Sequence, residues 1–331
     1  MNPSSSSPHL LTFNCHEAWV AQLDALGVPF DIIDGLPGRY TRRWDERMRP
    51  VPKHGRLISR REAAPRYDAI IGHNLTDLLD AKDVAGPRLL VLHVSLAHRL
   101  AQAGPSAPSA DDLREHVVRY MNLVGGHVVA VTPQKKASWG LGCPVDVVIS
   151  FADADGYSPW TGEFAAGLRV ANQITARREY LWWDLHRAAF DGLPVTLVGH
   201  NPDLGAAAAA SWDDLKGHFA RHRFFIHTAA PALEDGFNMA VMEAMAAGLP
   251  VIGNAHPTSP VVHGVSGLLS DDPAELRTHA QALLADRTYA ASLGRAARAE
   301  ARHRFSRDRF VRELRAALDV ATRNWRSGRN G

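Results

Sequence analysis

The 331-residue chain predicts an α/β protein of two domains, each a parallel β-sheet covered by helices. Three observations carry this. Short apolar runs alternate with helical stretches along the whole chain, as strands joined by helical crossovers require. The alternation occurs twice, on either side of an Asp/Gly/Ser/Pro-rich segment at 150–163. The length also suits two domains of ordinary size, each able to bury its own core. No internal sequence repeat is visible.

In the first half the apolar runs place strands at 9–13, 30–34, 69–72, 89–94 and 128–132, with helices at 16–26, 76–82, 111–124 and 134–140. Together they outline a domain over 9–149. Beyond the linker, strands are expected at 168–171, 195–198, 224–227, 251–253 and 267–269. Helices are expected at 176–190, 212–221, 239–247, 273–285 and 289–303, giving a second domain over 164–303. Residues 304–331 form a basic segment whose Phe305, Phe310, Val311, Leu314 and Leu318 make an apolar stripe at helical spacing. It is expected to cross back onto the first domain; peripheral docking on an anionic membrane is the alternative. The Ser/Pro-rich residues 1–8 lack a basic start and an apolar core, so they read as a disordered tail and not a secretory signal.

Composition narrows the function. Thirty-seven basic residues against 35 acidic ones leave a net charge of +2, which is no footprint for nucleic acid. No apolar run reaches the length of a bilayer. Cys15 and Cys143 are too few for a disulfide framework, and no Cys/His spacing suggests zinc. A reduced cytoplasm is the expected compartment.

The most informative stretch is Leu233-Glu-Asp-Gly-Phe-Asn-Met-Ala-Val-Met-Glu-Ala-Met-Ala-Ala-Gly-Leu-Pro-Val-Ile252. An acidic pair, Glu234 and Asp235, meets a glycine at a loop-to-helix junction; Gly248 and Pro250 stop the helix ahead of a short strand. Backbone N–H groups at a helix start attract anions, which makes Gly236, Phe237, Asn238 and Met239 a candidate diphosphate cradle. Glu243 is a lone acid among Met242, Ala244 and Met245. A carboxylate on that face needs hydroxyl or N–H partners, and the hydroxyls of a ribose are suitable ones.

This stretch resembles the motif of the retaining family-four glycosyltransferases, enzymes of the GT-B fold, in which two acids with seven residues between them lead into "EAMA-x-G-x-PV". The match puts Asp235 where that family has Glu. The resemblance implies two Rossmann-like domains facing a cleft. It also implies that Asp235 contacts donor-sugar hydroxyls and that Glu243 holds the nucleotide ribose. Phe151-Ala-Asp-Ala-Asp-Gly-Tyr-Ser-Pro159 resembles the family's interdomain segment. Asn172–Arg178 occupies the junction that supplies an Arg and a Lys to the donor diphosphate there, so Arg177 or Arg178 is expected in that role, and the lysine is absent.

Histidines at strand ends complete the set. His93 resembles the family's strand-end histidine that contacts donor sugar or acceptor, with His73 as the weaker candidate. A neutral imidazole there can donate to a hydroxyl or assist proton transfer. His16 follows the first strand, and His256 lies in the Asn254–Pro260 loop, where it or Thr258 contacts sugar or merely shapes a turn. The Pro/Gly-punctuated stretch 35–66, with Arg39, Arg42, Arg43, Arg47 and Arg49, is either an acceptor-recognition surface or a solvated insertion. Trp182-Trp183 reads as packing within the helix at 176–190.

The expected function is transfer of a sugar from a nucleotide-diphosphate donor to an acceptor hydroxyl with retention of configuration. No cofactor beyond the nucleotide-sugar and no metal is expected. Two other readings are weighed: a GT-B epimerase or phosphorylase, against which the acidic pair and its downstream helix argue, and a nucleotide-binding regulatory or scaffolding protein without catalysis, with which Asp235 in place of Glu is compatible.

Overall fold

The computed structural model of the chain describes residues 8–39, 43–103 and 108–328. Arg42, residues 1–7 of the expected tail and residues 329–331 lie outside them. The described residues divide into two compact units, one up to Ser150 and again from Asp308 onward, the other Phe151–Arg307.

The first unit holds seven strands, β1 (Leu10–Phe13), β2 (Phe30–Ile33), β3 (Gly55–Ile58), β4 (Ala69–Gly72), β5 (Arg88–Leu92), β6 (His127–Ala130) and β7 (Val145–Val147). They form one sheet in the order β3-β2-β1-β4-β5-β6-β7, parallel throughout. Every residue of β1, β2, β4, β5 and β6 is buried, which is why these strands read as mainly apolar runs, with Thr12, Asp31, Arg88 and His127 the buried polar exceptions. The crossovers are α1 (Glu17–Val20), α2 (Leu75–Asp80), α3 (Leu96–Ala103), α4 (Ala110–Leu123) and α5 (Pro133–Trp139). Side-chain caps start several of them. Asn74 accepts the Asp77 N–H ahead of α2, and Thr132 accepts the Lys135 N–H ahead of α5, whose first residue is Pro133. Leu11, Phe13, Ile70, Leu90 and Val128 from the sheet meet Leu78, Val117, Met121 and Trp139 from the helices in one core.

The second unit holds β8 (Phe164–Val170), β9 (Val195–Val198), β10 (His222–His227), β11 (Val251–Gly253) and β12 (Gly267–Leu269), parallel in the order β12-β11-β10-β8-β9. Its helices are α6 (Trp183–Phe190), α7 (Trp212–Arg221), α8 (Met239–Ala247), α9 (Pro273–Ala285) and α10 (Arg287–Arg304). Phe224, Ile226, Ile252 and Leu268 pack against Leu276, Ala280 and Leu283 of α9 and Ala290 and Leu293 of α10. The segment after Ser150 is part of this unit: Arg298 of α10 donates to the Ala154 carbonyl, and Arg302 pairs with Asp155.

The last helix, α11 (Arg307–Ser327), packs in the first unit. Phe310 is fully buried with its ring 6.2 Å from Trp19, and Arg315 donates to the Leu26 carbonyl at 3.0 Å. Phe310, Leu314, Ala317 and Ala321 are all buried, so the apolar stripe of this basic helix is occupied within the protein. No helix among the described residues is long and apolar enough to cross a membrane.

Both sheets have a switch point, where successive crossovers leave in opposite directions and strand-exit loops diverge. In the first unit it falls between β1 and β4, in the second between β8 and β10. Open α/β sheets bind ligands outside the carboxyl ends of strands at such points. The exits in question are Asn14–His16 and His73–Asn74 in the first unit, and the segments after Val170 and His227 in the second.

Four elements differ from the sequence reading. β3, β7 and α3 were not expected. The helix expected at 176–190 starts only at Trp183, because Trp182 adopts left-handed backbone, φ 41°. The Leu181 carbonyl, which a continuous helix would use internally, instead accepts from Arg169 at 3.0 Å and from Thr228 Oγ1 at 2.6 Å. Trp183 is buried and stacks on His186 at 4.3 Å, as packing requires.

Candidate functional site

In the second unit the acidic turn sits between the β10 exit and α8. Asp235 is 1% exposed and Glu243, on α8, 6%. Carboxylates that deep are retained only with polar partners. Asn238 is the N-cap of α8, its side chain accepting the Val241 N–H at 3.0 Å. Gly248 ends the helix at φ 84°, a conformation that suits glycine. Among the described residues the N–H groups of Phe237, Asn238, Met239 and Ala240 have no acceptor. The Gly236 N–H is already engaged, donating to Thr258 Oγ1 at 2.8 Å, so the open row begins one residue later than the sequence reading placed it. Four such groups at a helix start form an anion site in the dipole's favourable sense.

The Asn254–Pro260 loop holds this turn in place. Asn254 clamps the β10 exit with two bonds to Ala229, at 2.9 and 3.1 Å. His256 Nε2 donates to the Glu234 carbonyl at 3.0 Å, and its Nδ1 accepts the Thr258 N–H at 3.1 Å. Burial, its largest cause, holds the His256 pKa below the ordinary value, in keeping with this neutral imidazole. His256 and Thr258 are thus fastened to the acidic turn itself. A side chain at Gly236 would stand 2.7 Å from the His256 ring and from the Ser259 nitrogen, so only glycine fits there.

The two candidate arginines separate. Arg178 is exposed and pairs with Asp184, with Nε at 2.9 Å from the carboxylate. Arg177 is half-buried and close to Arg169 of β8, a residue the sequence reading did not single out. Arg169 is 2% exposed; it donates to Thr228 Oγ1 at 2.8 Å and to the Leu181 carbonyl, while its buried Nε has no partner among the described residues. Burial first, and then the charge of Arg177, lower its pKa to about 9. No carboxylate bonds it among the described residues. Two neighbouring cations at the switch point, neither bonded to an acid among the described residues, favour a bound anion. The signal in the sequence was a lone arginine inside the apolar run Ala165-Ala-Gly-Leu-Arg-Val170. His227, at the β10 exit, is likewise buried and neutral, with a pKa lowered to about 3 chiefly by burial.

In the first unit three of the expected histidines converge. His16 follows β1 and is exposed, His73 follows β4 and is buried, and His93 follows β5 and is part-exposed. His73 Nδ1 lies 2.8 Å from His93 Nε2, and the His16 ring lies 4.3 Å from that of His93. Trp19 presents its edge to both His73 and His93, at 5.4 and 5.3 Å. The 35–66 stretch is tied down by acids of the same unit. Arg39 pairs with Asp77 and Asp80, Arg43 approaches Asp34 at 3.6 Å, Arg47 pairs with Asp45, and buried Arg49 donates to the Met48 carbonyl.

Comparison with known proteins fits this geometry. Residues 192–286 match the family model of the glycosyl transferases group 1, a span that includes the acidic turn, α8 and the loop after β11. No curated protein matches the chain in sequence. Among solved structures, the chain is similar to HepE of Anabaena in complex with UDP and glucose, with a TM-score of 0.67, 16% identity, and coverage of 94% of this chain and 99% of that one. It is similar to the sucrose-phosphate synthase of Thermosynechococcus elongatus, with a TM-score of 0.66, 15% identity, and coverage of 94% and 98%. WaaG, a glycosyltransferase involved in lipopolysaccharide biosynthesis, aligns with a TM-score of 0.59, 13% identity, and coverage of 95% and 99%. The chain therefore has the GT-B fold, and residues 192–286 of its second unit match the model of the glycosyl transferases group 1.

Proposed function

We propose that the protein is a glycosyltransferase that moves a sugar from a nucleotide-diphosphate donor to an acceptor hydroxyl, with retention of anomeric configuration. One observation carries the reading: buried Asp235 and Glu243 bracket a helix start with open N–H groups, at the switch point of the second unit's sheet. In this reading the donor diphosphate lies on the N–H groups of Phe237 to Ala240 and on Arg177, with Arg169 adding charge from beneath. Glu243 holds the ribose hydroxyls, and Asp235 holds hydroxyls of the transferred sugar. HepE, whose fold this chain shares, was crystallised with UDP and glucose, which supports a donor of this class.

The chemistry follows from where charge develops. As the glycosidic bond breaks, negative charge grows on the departing diphosphate, and preorganised cations and N–H groups stabilise it without a metal ion. The acceptor hydroxyl attacks from the face the diphosphate leaves, and its proton passes to the departing phosphate oxygen. Same-face attack preserves the configuration. His93, a neutral imidazole, orients a reacting hydroxyl.

Thermal-shift measurement with nucleoside diphosphates and their sugars tests this. A ligand at a hundred times its dissociation constant adds about 2.7 kcal/mol of stability. A shift with one nucleotide series is the expected result. No shift with any of them removes the reading.

A further inference from the structure

The histidine pair of the first unit carries information about where His93 keeps its proton. Both rings are neutral: burial lowers the His73 pKa to about 3 and drives that of His93 well below the ordinary value, with His16 and, for His93, His73 and Lys135 adding to the effect. A neutral imidazole has one N–H and one bare nitrogen. The 2.8 Å contact between His73 Nδ1 and His93 Nε2 therefore needs the proton on one of the two and a lone pair on the other.

What decides between them lies behind His73. Thr12 Oγ1 is 3.0 Å from His73 Nε2 and 3.2 Å from the Ile71 carbonyl. A carbonyl only accepts, so the hydroxyl proton goes to Ile71 and the hydroxyl oxygen accepts from His73 Nε2–H. His73 Nδ1 is then bare and accepts the proton of His93 Nε2. This arrangement satisfies all three contacts with three donors, whereas the reverse leaves the Thr12–Ile71 contact unmade. Thr12 is fully buried, so no solvent competes for its proton. Among the described residues the pair with His73 is the one hydrogen bond His93 makes.

We propose that Thr12, acting through His73, fixes the tautomer in which His93 keeps its proton on Nε2 and offers a bare Nδ1 that accepts the hydrogen bond of a substrate hydroxyl. Thr12 and His73 are positioning residues; His93 is the group that meets substrate. The substrate half of this inference rests on the glycosyl-transfer reading, while the tautomer half stands on the first unit alone. It also narrows the role of His93 from donor or acceptor to acceptor.

The test is nitrogen-15 NMR of the full chain labelled at histidine, with the ring signals assigned by their loss in His73→Gln and His93→Gln. The expected spectrum shows His93 protonated at Nε2 and bare at Nδ1. Thr12→Ser should preserve this pattern, and isosteric Thr12→Val should populate the other tautomer. In turnover, Thr12→Ser should match the natural protein, while Thr12→Val loses kcat several-fold with nucleotide affinity unchanged. A natural protein with His93 protonated at Nδ1, or with both tautomers present, overturns the proposal without recourse to any variant. So does a Thr12→Val spectrum identical to the natural one. Failure of nucleotide binding would sink the glycosyl-transfer reading and leave the tautomer result standing, so the two failures are distinguishable.

Discussion

Thr258 Oγ1 accepts the Gly236 N–H at 2.8 Å, and this bond joins the loop after β11 to the acidic turn that opens α8. Two variants probe it. Gly236→Ala forces a methyl group to 2.7 Å from the His256 ring and the Ser259 nitrogen, overpacking that costs about 1–3 kcal/mol. Thr258→Val leaves a buried N–H without its acceptor, at about 1–3 kcal/mol. Calorimetry should show both midpoints lowered, Gly236→Ala with loss of nucleotide binding as well. An unchanged midpoint for both would remove the latch from the account.

Glu243 is assigned to ribose hydroxyls. Glu243→Gln keeps the shape and removes the charge, so nucleotide affinity should fall by the worth of a charge-assisted hydrogen bond, about 1.5–3 kcal/mol or roughly ten- to a hundredfold. Titration calorimetry with nucleoside diphosphate reads this directly. A ligand without ribose hydroxyls should bind the variant and the natural protein alike.

Asp235 is assigned to the transferred sugar. Asp235→Asn should depress kcat by at least about tenfold, the effect of one charge-assisted hydrogen bond in the transition state. Affinity for the nucleoside diphosphate, which lacks the sugar, should change little. Equal losses of turnover and nucleotide affinity would contradict the division of labour between the two acids.

Arg177 and Arg178 are neighbours in sequence with opposite expectations. Arg178 is engaged with Asp184 at the surface, and Arg178→Ala should leave nucleotide binding unchanged. Arg177→Ala should weaken binding of a nucleoside diphosphate roughly ten- to a hundredfold. It should affect the corresponding monophosphate far less. Equal effects of the two substitutions would place the diphosphate elsewhere.

Buried neutral histidines predict acid sensitivity. His73, His186 and His227 have pKa values lowered to about 3, 2 and 3, chiefly by burial. In the unfolded chain each takes a proton as pH falls through about 6.5, while the folded protein resists until the lower value. Between those limits the unfolded state binds more protons, so stability falls with pH, by up to about 1.4 kcal/mol per unit for each group. Urea midpoints between roughly pH 7 and pH 5 should decline, and less steeply in His186→Phe, which keeps the stack on Trp183. Parallel declines would exclude His186 as a contributor.

Much of this fold is legible in the sequence because fully buried parallel strands leave unbroken apolar runs. β4 and β11 are such runs, the part-exposed β9 and β12 also fall where apolar residues cluster, and α7, α8 and α9 begin at capping residues: Ser211, Asn238 and Asp272. The elements that escaped lack those signals. β3 pairs only with β2 and carries exposed Arg56, and β7 is three residues at the opposite edge of the sheet. The early part of α6 was lost to tertiary bonding, since Arg169 and Thr228 take the Leu181 carbonyl that helical periodicity assigns to the helix. Among the candidate site residues, the acidic turn could be read from its motif, and the histidines from their place at strand ends together with the family resemblance. Arg169 and Thr12 could not: each is a single polar residue inside an apolar run, and its meaning depends on partners 59 residues away.

A crystal structure of the protein with a bound nucleoside diphosphate-sugar would show where the donor lies. The diphosphate should lie on the N–H groups of Phe237 to Ala240 and on Arg177, with the ribose hydroxyls on Glu243. A ligand seated away from the start of α8, with Glu243 contacting no part of it, would rule out this donor site.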